Sequence, residues 1–301
     1  MWVLLAVFSA ILLGTYDVAK KQALRKNGTF AVLLVATALS TLFVSPFLRI
    51  GPAEDHLKLA LKAVLVTASW VSGMEGLKRL PLTTVSTIKG SRPVFVVLFS
   101  IILFGERLNW MQWLGIAIVL GALYMLGFTS RRDASAQVRK TGFIWMGISV
   151  LTGVASALYD KYIMKGMEPM FVQSWTNLFI TVILALCVLV KRLAISGRAS
   201  SDRLRPRSRE WEGALPARSD KFRWDWTLVL VAVLITGADA LYFFALKQPD
   251  ALLSIISVVR RASVLVTFVL GAIIFHEGNI RAKGLNMLLM AAGVVLLLIG
   301  S

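Results

Sequence analysis

The sequence predicts an all-α integral membrane protein with ten transmembrane helices in two inverted five-helix repeats. Composition, the length of the apolar segments and an internal repetition lead to this prediction. Hydrophobic residues make up 57% of the 301 residues and charged residues only 16%, which leaves too little polar surface for a water-soluble globule. In lipid, the backbone must satisfy itself as helices or as a closed barrel. Apolar runs such as 94–104 and 258–275 lack the alternation of barrel strands, so we expect helices.

Ten apolar stretches are long enough to cross a bilayer, which requires about 20 helical residues. These spans lie at 2–19, 30–49, 58–78, 83–104, 110–128, 142–164, 170–190, 226–246, 251–275 and 280–300. A linker at 129–140 separates a first five-helix unit, 1–128, from a second, 141–301. The second unit contains a basic loop at 191–225. We expect this loop to be a flexible polar tether, with binding of anionic lipid as the alternative.

Basic residues are distributed unevenly between the two ends of the predicted helices. The loops after the odd-numbered spans, with the adjoining span ends, carry 22 Lys and Arg residues, against 6 after the even-numbered spans. Without the long loop the difference is still 12 against 6. Because Lys and Arg are enriched in cytoplasmic loops, both termini are predicted to lie outside the cytoplasm.

Several functional classes are not expected. The net charge of +17 is spread between apolar segments and does not form the basic patch of a nucleic-acid-binding protein. The single cysteine, Cys187, allows no internal disulfide. The apolar N-terminus has no basic residues before it, which is typical of a retained helix and not of a cleaved signal. His56 and His276 have no second ligand at metal-binding spacing, and we expect neither a metal nor another cofactor.

The two units share a sequence pattern. The matching segments are Phe104-Gly105-Glu106 with Phe275-His276-Glu277, Gly76-Leu77-Lys78 with Ala245-Leu246-Lys247, and Tyr16-Asp17 with Tyr159-Asp160. Five helices per unit is an odd number, so successive units enter the membrane in opposite senses. Inverted repeats of this kind place the substrate near the bilayer midplane, between the two repeats.

On these residues, the chain resembles the EamA-type transporters of the drug/metabolite transporter superfamily, which have ten helices in two five-helix repeats. The resemblance covers nearly the whole chain and implies a secondary transporter. An ATP-driven pump is not expected, because the sequence contains no glycine-rich loop ending in Gly-Lys-Ser/Thr. Ten-helix relatives are pictured with both termini in the cytoplasm, which is opposite to the orientation that the loop charges predict.

Eight ionisable residues lie inside the predicted spans and away from their ends. The acidic members are Asp17, Glu75, Asp160 and Asp239, and the basic members are Lys89, Arg92, Arg260 and Arg261. A charge at the bilayer centre costs about 2.5 to 3.5 kcal/mol even on lenient scales, so these groups should line one cavity or pair with one another. Full pairing would make them structural. The acidic residues are also candidates for carrying a coupled proton.

The fourth span contains the most informative charges. Lys89 and Arg92 are three residues apart and share a helical face. Pro93 follows directly and removes the hydrogen bond to the carbonyl of Lys89, which predicts a weakened or kinked helix at that point.

The two units present cations at one equivalent depth. Matching Glu106 to Glu277 aligns Lys89 with Arg260, and Arg261 adds a second guanidinium suited to carboxylate or phosphate oxygens. We therefore predict an anion-binding site between the repeats. The two glutamates themselves could cap the helices that follow them.

The triose-phosphate translocators and some nucleotide-sugar transporters, distant members of the same superfamily, look similar at these positions. They hold phosphate with a lysine in the fourth helix and a basic pair in the ninth. The resemblance implies phosphate-binding roles for Lys89, Arg260 and Arg261, although the pair is Arg-Arg here and Lys-Arg in the translocators.

Aromatic residues inside the spans are candidates for the walls of the cavity. We predict that Tyr16, Tyr159 and Tyr242 contribute to substrate binding, and Trp70 and Trp175 are further candidates. Packing or a position at the membrane interface is the alternative for each.

Together these features predict a secondary transporter that moves a small organic anion, phosphorylated or carboxylate, by alternating access. The alternatives are an exporter of amino acids or amphipathic and zwitterionic metabolites, and a non-transporting membrane scaffold. A membrane enzyme is not expected, because the sequence has no HExxH, GxSxG or paired-cysteine motif. The expected partners are a small substrate and membrane lipid, not nucleic acid, and a homodimer has no support in the sequence. We expect a multi-pass protein of a bacterial inner (plasma) membrane.

The orientation can be tested with a reporter. Alkaline phosphatase fused after Ser301 should be active, because the loop charges place the C-terminus outside the cytoplasm and this enzyme matures only there. Green fluorescent protein at the same position is the matched control and should stay dark when exported. Fluorescence without phosphatase activity would reverse the predicted orientation.

Overall fold

The computed structural model of the chain describes residues 1–77, 88–89, 92–129, 140–202, 223–275 and 280–300, and all secondary structure in these ranges is helical. The described α-helices are α1 (Trp2–Lys26), α2 (Thr29–Val44), α3 (Ala53–Leu77), α4 (Arg92–Phe104), α5 (Trp110–Thr129), α6 (Lys140–Met164), α7 (Pro169–Asp202), α8 (Trp226–Lys247), α9 (Leu253–Arg261), α10 (Ser263–Phe275) and α11 (Ile280–Ile299), with a 3-10 turn at Ser45–Phe47. Among the described residues, five stretches are long and apolar enough to cross a membrane: Trp2–Leu24, Phe30–Phe47, Thr141–Met164, Pro169–Val190 and Trp226–Lys247.

Each predicted span coincides with helix where it is described, but several boundaries differ. α3 begins at Ala53, five residues before the predicted span, and the acidic Glu54 and Asp55 in its first turn favour a helix start there. α7 continues to Asp202, which corrects the expectation of a loop from residue 191. The strong helix formers at 191–194 allow this extension. Most of the linker, the loop at 203–222, His276 and Glu277 lie outside the described residues.

The predicted ninth span is two helices and not one. α9 ends at Arg261 and α10 begins at Ser263. At the break, the Ala262 N–H bonds to the Val259 carbonyl at 3.0 Å, and the Leu265 N–H bonds to the Ala262 carbonyl at 2.8 Å. These three-residue bonds tighten the helix into a 3-10 turn. The break therefore comes directly after the Arg260 and Arg261 pair.

The helices form two groups, here called bundles, which also contact each other through the α2–α7 and α4–α9 pairs. The first bundle contains α1, α2, α8 and the α9–α10 pair, and the second contains α3, α4, α6 and α7; α5 and α11 pack against each other. Within the bundles, α1 lies along α8 and α3 lies along α6, so each bundle mixes helices from both halves of the sequence. The predicted counterpart of α1 in the other half is α6, and that of α8 is α3. Replacing each helix by its counterpart therefore turns the α1–α8 pair into the α3–α6 pair.

α5 and α11 approach closely because both carry glycine at the contact. A Cβ added at Gly115 would lie 2.9 Å from the Gly293 carbonyl oxygen, and one added at Gly293 would lie 3.0 Å from the Gly115 oxygen. Small residues permit this close approach of the two backbones. Close packing matters in a membrane, because an apolar side chain is about as stable against lipid as against another helix.

One end of the molecule, here called face A, collects the segments 45–52, 105–109, 165–168 and 248–252. Hydrogen bonds at face A join the two bundles. Lys247 Nζ donates to the Met167 carbonyl at 2.8 Å, and Lys161 Nζ donates to the Ala251 carbonyl at 2.9 Å. At face A the bundles are thus joined by bonds to backbone carbonyls.

Glu106 does not cap the helix that follows it, contrary to the expectation from sequence. Its carboxylate accepts from the backbone N–H groups of Leu253 at 2.7 Å and Ser254 at 3.1 Å, which begin α9 in the other half of the chain. The Ser254 hydroxyl and Lys161 Nζ also donate to it, the latter at 2.6 Å. The following helix has its own cap, because Asn109 and Gln112 exchange side-chain to backbone hydrogen bonds of 2.9 and 2.8 Å.

The electrostatics of Glu106 follow from these contacts. Burial alone would raise the pKa of Glu106, but the hydrogen bonds from Lys161 and Ser254 outweigh this effect and hold it below its ordinary value. Glu106 therefore remains an anion that joins α9 to the second bundle.

We expect Glu106→Gln to lower the free energy of unfolding by about 3 kcal/mol, because it leaves the Lys161 charge without its buried partner. Since the pKa of Glu106 is lower in the folded than in the unfolded chain, this stability is full above the unfolded pKa, about 4.3. It is lost as pH falls through the folded value. Thermal unfolding in detergent across pH measures both effects.

The matched control is Glu54→Gln, which removes an exposed carboxylate bonded to Lys58. It should change the melting temperature little, as is usual for exposed ion pairs. Equal melting temperatures for the two variants would contradict the role given to Glu106.

Candidate functional site

Basic side chains from three parts of the chain converge between the bundles. The cationic cluster consists of Lys20 on α1, Lys89 before α4, Arg92 at the start of α4 and Arg261 at the end of α9. Lys89 interacts electrostatically with the other three and with Asp17. Asp17 in turn interacts with Lys20, Arg261 and Lys89. The structure thus brings together three predicted binding residues and one predicted acidic residue.

The described part of α4 begins at Arg92, so Pro93 lies in its first turn, where a missing N–H removes no helical hydrogen bond. Residues 88–89 are helical, and 90–91 lie outside the described residues. The weakening or kink expected at Lys89 therefore stays a prediction.

Arg92 is held by neutral groups. Its Nη2 donates to Ser69 Oγ and to the Ser149 carbonyl, both at 2.9 Å. The two serines bind each other's carbonyls, at 2.8 and 2.7 Å, and so join α3 to α6. Arg92 Nε is buried and has no partner among the described residues. Its contacts leave its positive charge without a directly bonded carboxylate and leave one N–H available.

Two glycines make room for the cationic cluster. A Cβ added at Gly153 would lie 2.3 Å from Arg92 Cζ, and a Cβ added at Gly73 would lie 2.8 Å from Ser149 Oγ and 3.3 Å from Lys89 Nζ. The guanidinium and the ammonium therefore occupy space that a side chain at either position would fill.

Arg260 points to a different partner from its neighbour Arg261. Its Nη2 lies 2.8 Å from Asp239 Oδ1, and its Cζ lies 4.2 Å from the centre of the Tyr242 ring. Arg260 Nε is buried without a partner among the described residues. Arg260 is thus paired with Asp239, as expected if these charges were structural, but only part of its guanidinium group takes part in the pair.

A second charged cluster lies nearer to face A. Asp160 is 6% exposed and forms an ion pair with Lys62, which is 2% exposed. The Tyr242 hydroxyl donates to the other carboxylate oxygen of Asp160 at 3.2 Å. Lys62 Nζ lies 4.2 Å from the centre of the Phe243 ring. We call these four residues the Asp160 cluster.

Lys62 was not among the charged residues identified from sequence. The predicted third span began at residue 58, which placed Lys62 at its edge, whereas α3 begins at Ala53. The useful signal was the acidic pair Glu54 and Asp55 after Pro52, which marks an earlier helix start and moves Lys62 inward. Lys161, the partner of Glu106, was also missed, because it lies near the end of the predicted sixth span and only residues away from the span ends were considered.

A small cavity of about 20 Å³ lies beside these clusters and has room for one water molecule. Its lining is Tyr16, Leu33, Ala36, Thr37, Ser40, Trp70, Asn177, Ile235 and Asp239. Asn177 Nδ2 donates to Ser40 Oγ at 2.8 Å, and this hydroxyl lies 2.7 Å from Thr236 Oγ1. Polar groups of both bundles therefore meet at this cavity.

The described contacts of Tyr159 and Trp175 are with groups outside the cationic cluster. Tyr159 stacks on Tyr162 with ring centres 5.9 Å apart. Trp175 packs on His56 at 4.2 Å and donates to the Arg49 carbonyl at 2.9 Å. Glu75 is half-buried on α3. Their roles in binding stay predictions.

We expect Gly153→Ala to displace the Arg92 guanidinium and to lower the free energy of unfolding by about 1 to 3 kcal/mol, as is usual for overpacking. Gly147→Ala on the same helix is the matched control, because a Cβ there has nothing within 4 Å. Thermal unfolding of both variants in detergent checks the prediction. Equal stability would show that Arg92 does not need the space at Gly153.

Comparisons with known proteins show what the chain is similar to. Residues 1–128 match the family model of the EamA-like transporter family. A protein from Sinorhizobium sp, named "Uncharacterized transporter in cobO 3'region", is 29% identical over 136 residues, which cover 42% of this chain and 95% of the relative. A solved structure described as "Crystal structure of protein" covers 100% of this chain and 99% of its own, with a TM-score of 0.73 and 15% identity, and so shares the fold. The chain is a multi-pass membrane transporter with an EamA-like unit at residues 1–128.

Proposed function

We propose that this protein is a secondary carrier that moves a small organic anion across a bacterial plasma membrane by alternating access. The anion binds between the bundles, on Lys89, Arg92 and Arg261. The substrate is a carboxylate or a phosphorylated metabolite, and the carrier needs no cofactor.

The observation that carries the proposal is the charge balance of the cationic cluster. Four basic side chains converge there, and among the described residues Asp17 is the acidic group that acts on Lys89 and Arg261. Arg92 is bonded to serine and carbonyl oxygens, with its Nε left over. Unbalanced positive charge in the membrane is costly unless an anion enters, so the cluster is suited to bind one.

The break between α9 and α10 supports the same location. Discontinuous helices in transporters commonly hold the substrate near the bilayer midplane, at the interface of two repeats. Here the break follows Arg260 and Arg261. A helix end in the membrane exposes backbone groups, and a site lined by charged side chains and water can satisfy them.

Two features support an origin from two repeated units. The Sinorhizobium relative is covered to 95% by 42% of this chain, so a stretch about the length of one predicted unit matches nearly a whole relative. The contacts of the helices also agree with a repeat, because the α1–α8 pair and the α3–α6 pair consist of corresponding helices of the two halves. We propose that the units are inverted and that the two bundles, which mix the units, rock about the site.

A zwitterionic substrate is the second candidate, and the small cavity is the observation that favours it. Asp239, Tyr16 and Asn177 line this cavity beside the cationic cluster, and they offer acceptors for an ammonium or hydroxyl group. An amino acid would place its carboxylate on the cations and its amine in the cavity. The expected contacts of the protein otherwise remain substrate and lipid.

Counterflow in proteoliposomes tests the proposal, with phosphorylated, carboxylate, zwitterionic and amine solutes as the panel. Lys89→Gln and Arg92→Gln should each lower exchange of the accepted anion at least about tenfold, the loss expected from one charge-assisted hydrogen bond. Arg260→Gln should have a smaller effect, because Asp239 already occupies part of this guanidinium.

Lys58→Gln is the matched control, since Lys58 is paired with Glu54 at the surface of the same bundle. It should leave exchange unchanged. Exchange of amines alone, or anion exchange that survives both Lys89→Gln and Arg92→Gln in folded protein, would overturn the anion site.

A further inference from the structure

The Asp160 cluster contains a buried carboxylate that the anion site does not use. Asp160 accepts from Lys62 within the second bundle and from Tyr242 of the first bundle. Lys62 also reaches across the bundle boundary, because its ammonium lies over the Phe243 ring of α8. The charge on Asp160 thus maintains two contacts between the bundles, both near face A.

The other charged groups around Asp160 are few. α3 presents Lys62, α8 presents Tyr242 and Asp239, and α6 itself carries Lys161, which is committed to Glu106. α4 presents Arg92 to α6 at Gly153, where it is bonded to Ser149. Lys62 is therefore the cation bonded to Asp160 in the structure.

A proton on Asp160 would change both contacts between the bundles. The Tyr242 hydroxyl would then face a neutral acid, and a charge-assisted hydrogen bond would become an ordinary one of roughly half the strength. Lys62 would be left as an unpaired ammonium that is 2% exposed. Because an unpaired buried charge is strongly unfavourable, the protonated state favours an arrangement in which water reaches Lys62, and separation of the bundles at face A would admit it.

A chain of contacts connects the Asp160 cluster to the wall of the small cavity beside the proposed anion site. The Tyr242 ring that donates through its hydroxyl to Asp160 carries the Arg260 guanidinium on its face, and Arg260 holds Asp239 at the wall of the small cavity. A movement of Tyr242 therefore alters the surroundings of the substrate.

We propose that Asp160 is a proton-binding site that controls face A, so that ionised Asp160 holds this face closed and protonated Asp160 lets it open. The carrier is thereby proton-coupled. The inference rests on the proposed alternating access but not on the identity of the substrate.

Labelling of a single cysteine tests the proposal without any substrate. In a Cys187→Ser background, Ala251→Cys places a thiol at a position of face A that is 4% exposed when closed. Gly166→Cys at the same face, where a Cβ has nothing within 4 Å, corrects for the pH dependence of the thiol chemistry. The probe is a membrane-impermeant thiol reagent on protein in nanodiscs, which expose both faces.

As pH falls from about 8 to about 5, the labelling ratio of Ala251→Cys to Gly166→Cys should rise by up to about tenfold per pH unit, the limit for one linked proton. In the Lys62→Met/Asp160→Asn variant, which removes both charges of this pair together, the ratio should not depend on pH. An unchanged ratio in the parent chain, or a retained pH response in the double variant, would overturn the proposal.

Glu106 and His56, two of the other titratable groups at or beside face A, are distinguished from Asp160 by the experiment. Glu106 stays ionised over this range, because its pKa lies below the ordinary value. His56 accepts a hydrogen bond from the Gly51 N–H of face A, so His56→Gln is tested alongside. A response that persists in His56→Gln supports Asp160, and a response lost with His56 assigns the effect to the histidine and refutes the proposal. Failure of anion exchange would leave this labelling result intact.

Discussion

The cost of placing charge in lipid is the constraint on which the rest of this structure depends. The chain carries basic and acidic groups well inside its helices, and each must find a partner, a polar cavity or water. Lys62 and Asp160 solve the problem by pairing in the second bundle. Arg260 and Asp239 solve it by pairing in the first bundle. The cationic cluster retains more positive than negative charge among its described residues, which is why we assign the substrate to it.

The closure of face A depends on the same constraint in a different form. The first N–H groups of a helix have no partner within it, and in a membrane protein they must be satisfied by other groups. The α9 N-terminus takes the Glu106 carboxylate from the opposite half of the chain, and Lys161 neutralises that carboxylate. One anion thus satisfies a helix end and joins two bundles that can separate only if the helix end finds water.

Composition and span length were sufficient to predict the helical membrane fold, and the duplicated motifs indicated the pairing of its halves. The convergence of Lys89, Arg92 and Arg261 near Asp17 also followed from the cost of isolated charge. Local sequence could not reveal the partner of Glu106, because the bond to Leu253 joins residues 147 positions apart. Nor could it show that Lys62 is buried, since that depends on α3 starting five residues before its apolar pattern begins.

The two halves use matching positions for different purposes. Aligning Gly76-Leu77-Lys78 with Ala245-Leu246-Lys247 places Gly73 opposite Tyr242 and Val231 opposite Lys62. Asp160, in the second half, is therefore fixed by a tyrosine and a lysine. Its counterpart Asp17 has a glycine and a valine at the corresponding positions, and Lys89 Nζ lies where a side chain at Gly73 would be. If the two halves are repeats, as we propose, the same position holds one acid in a bonded network and the other among cations, where the proposed anion would bind.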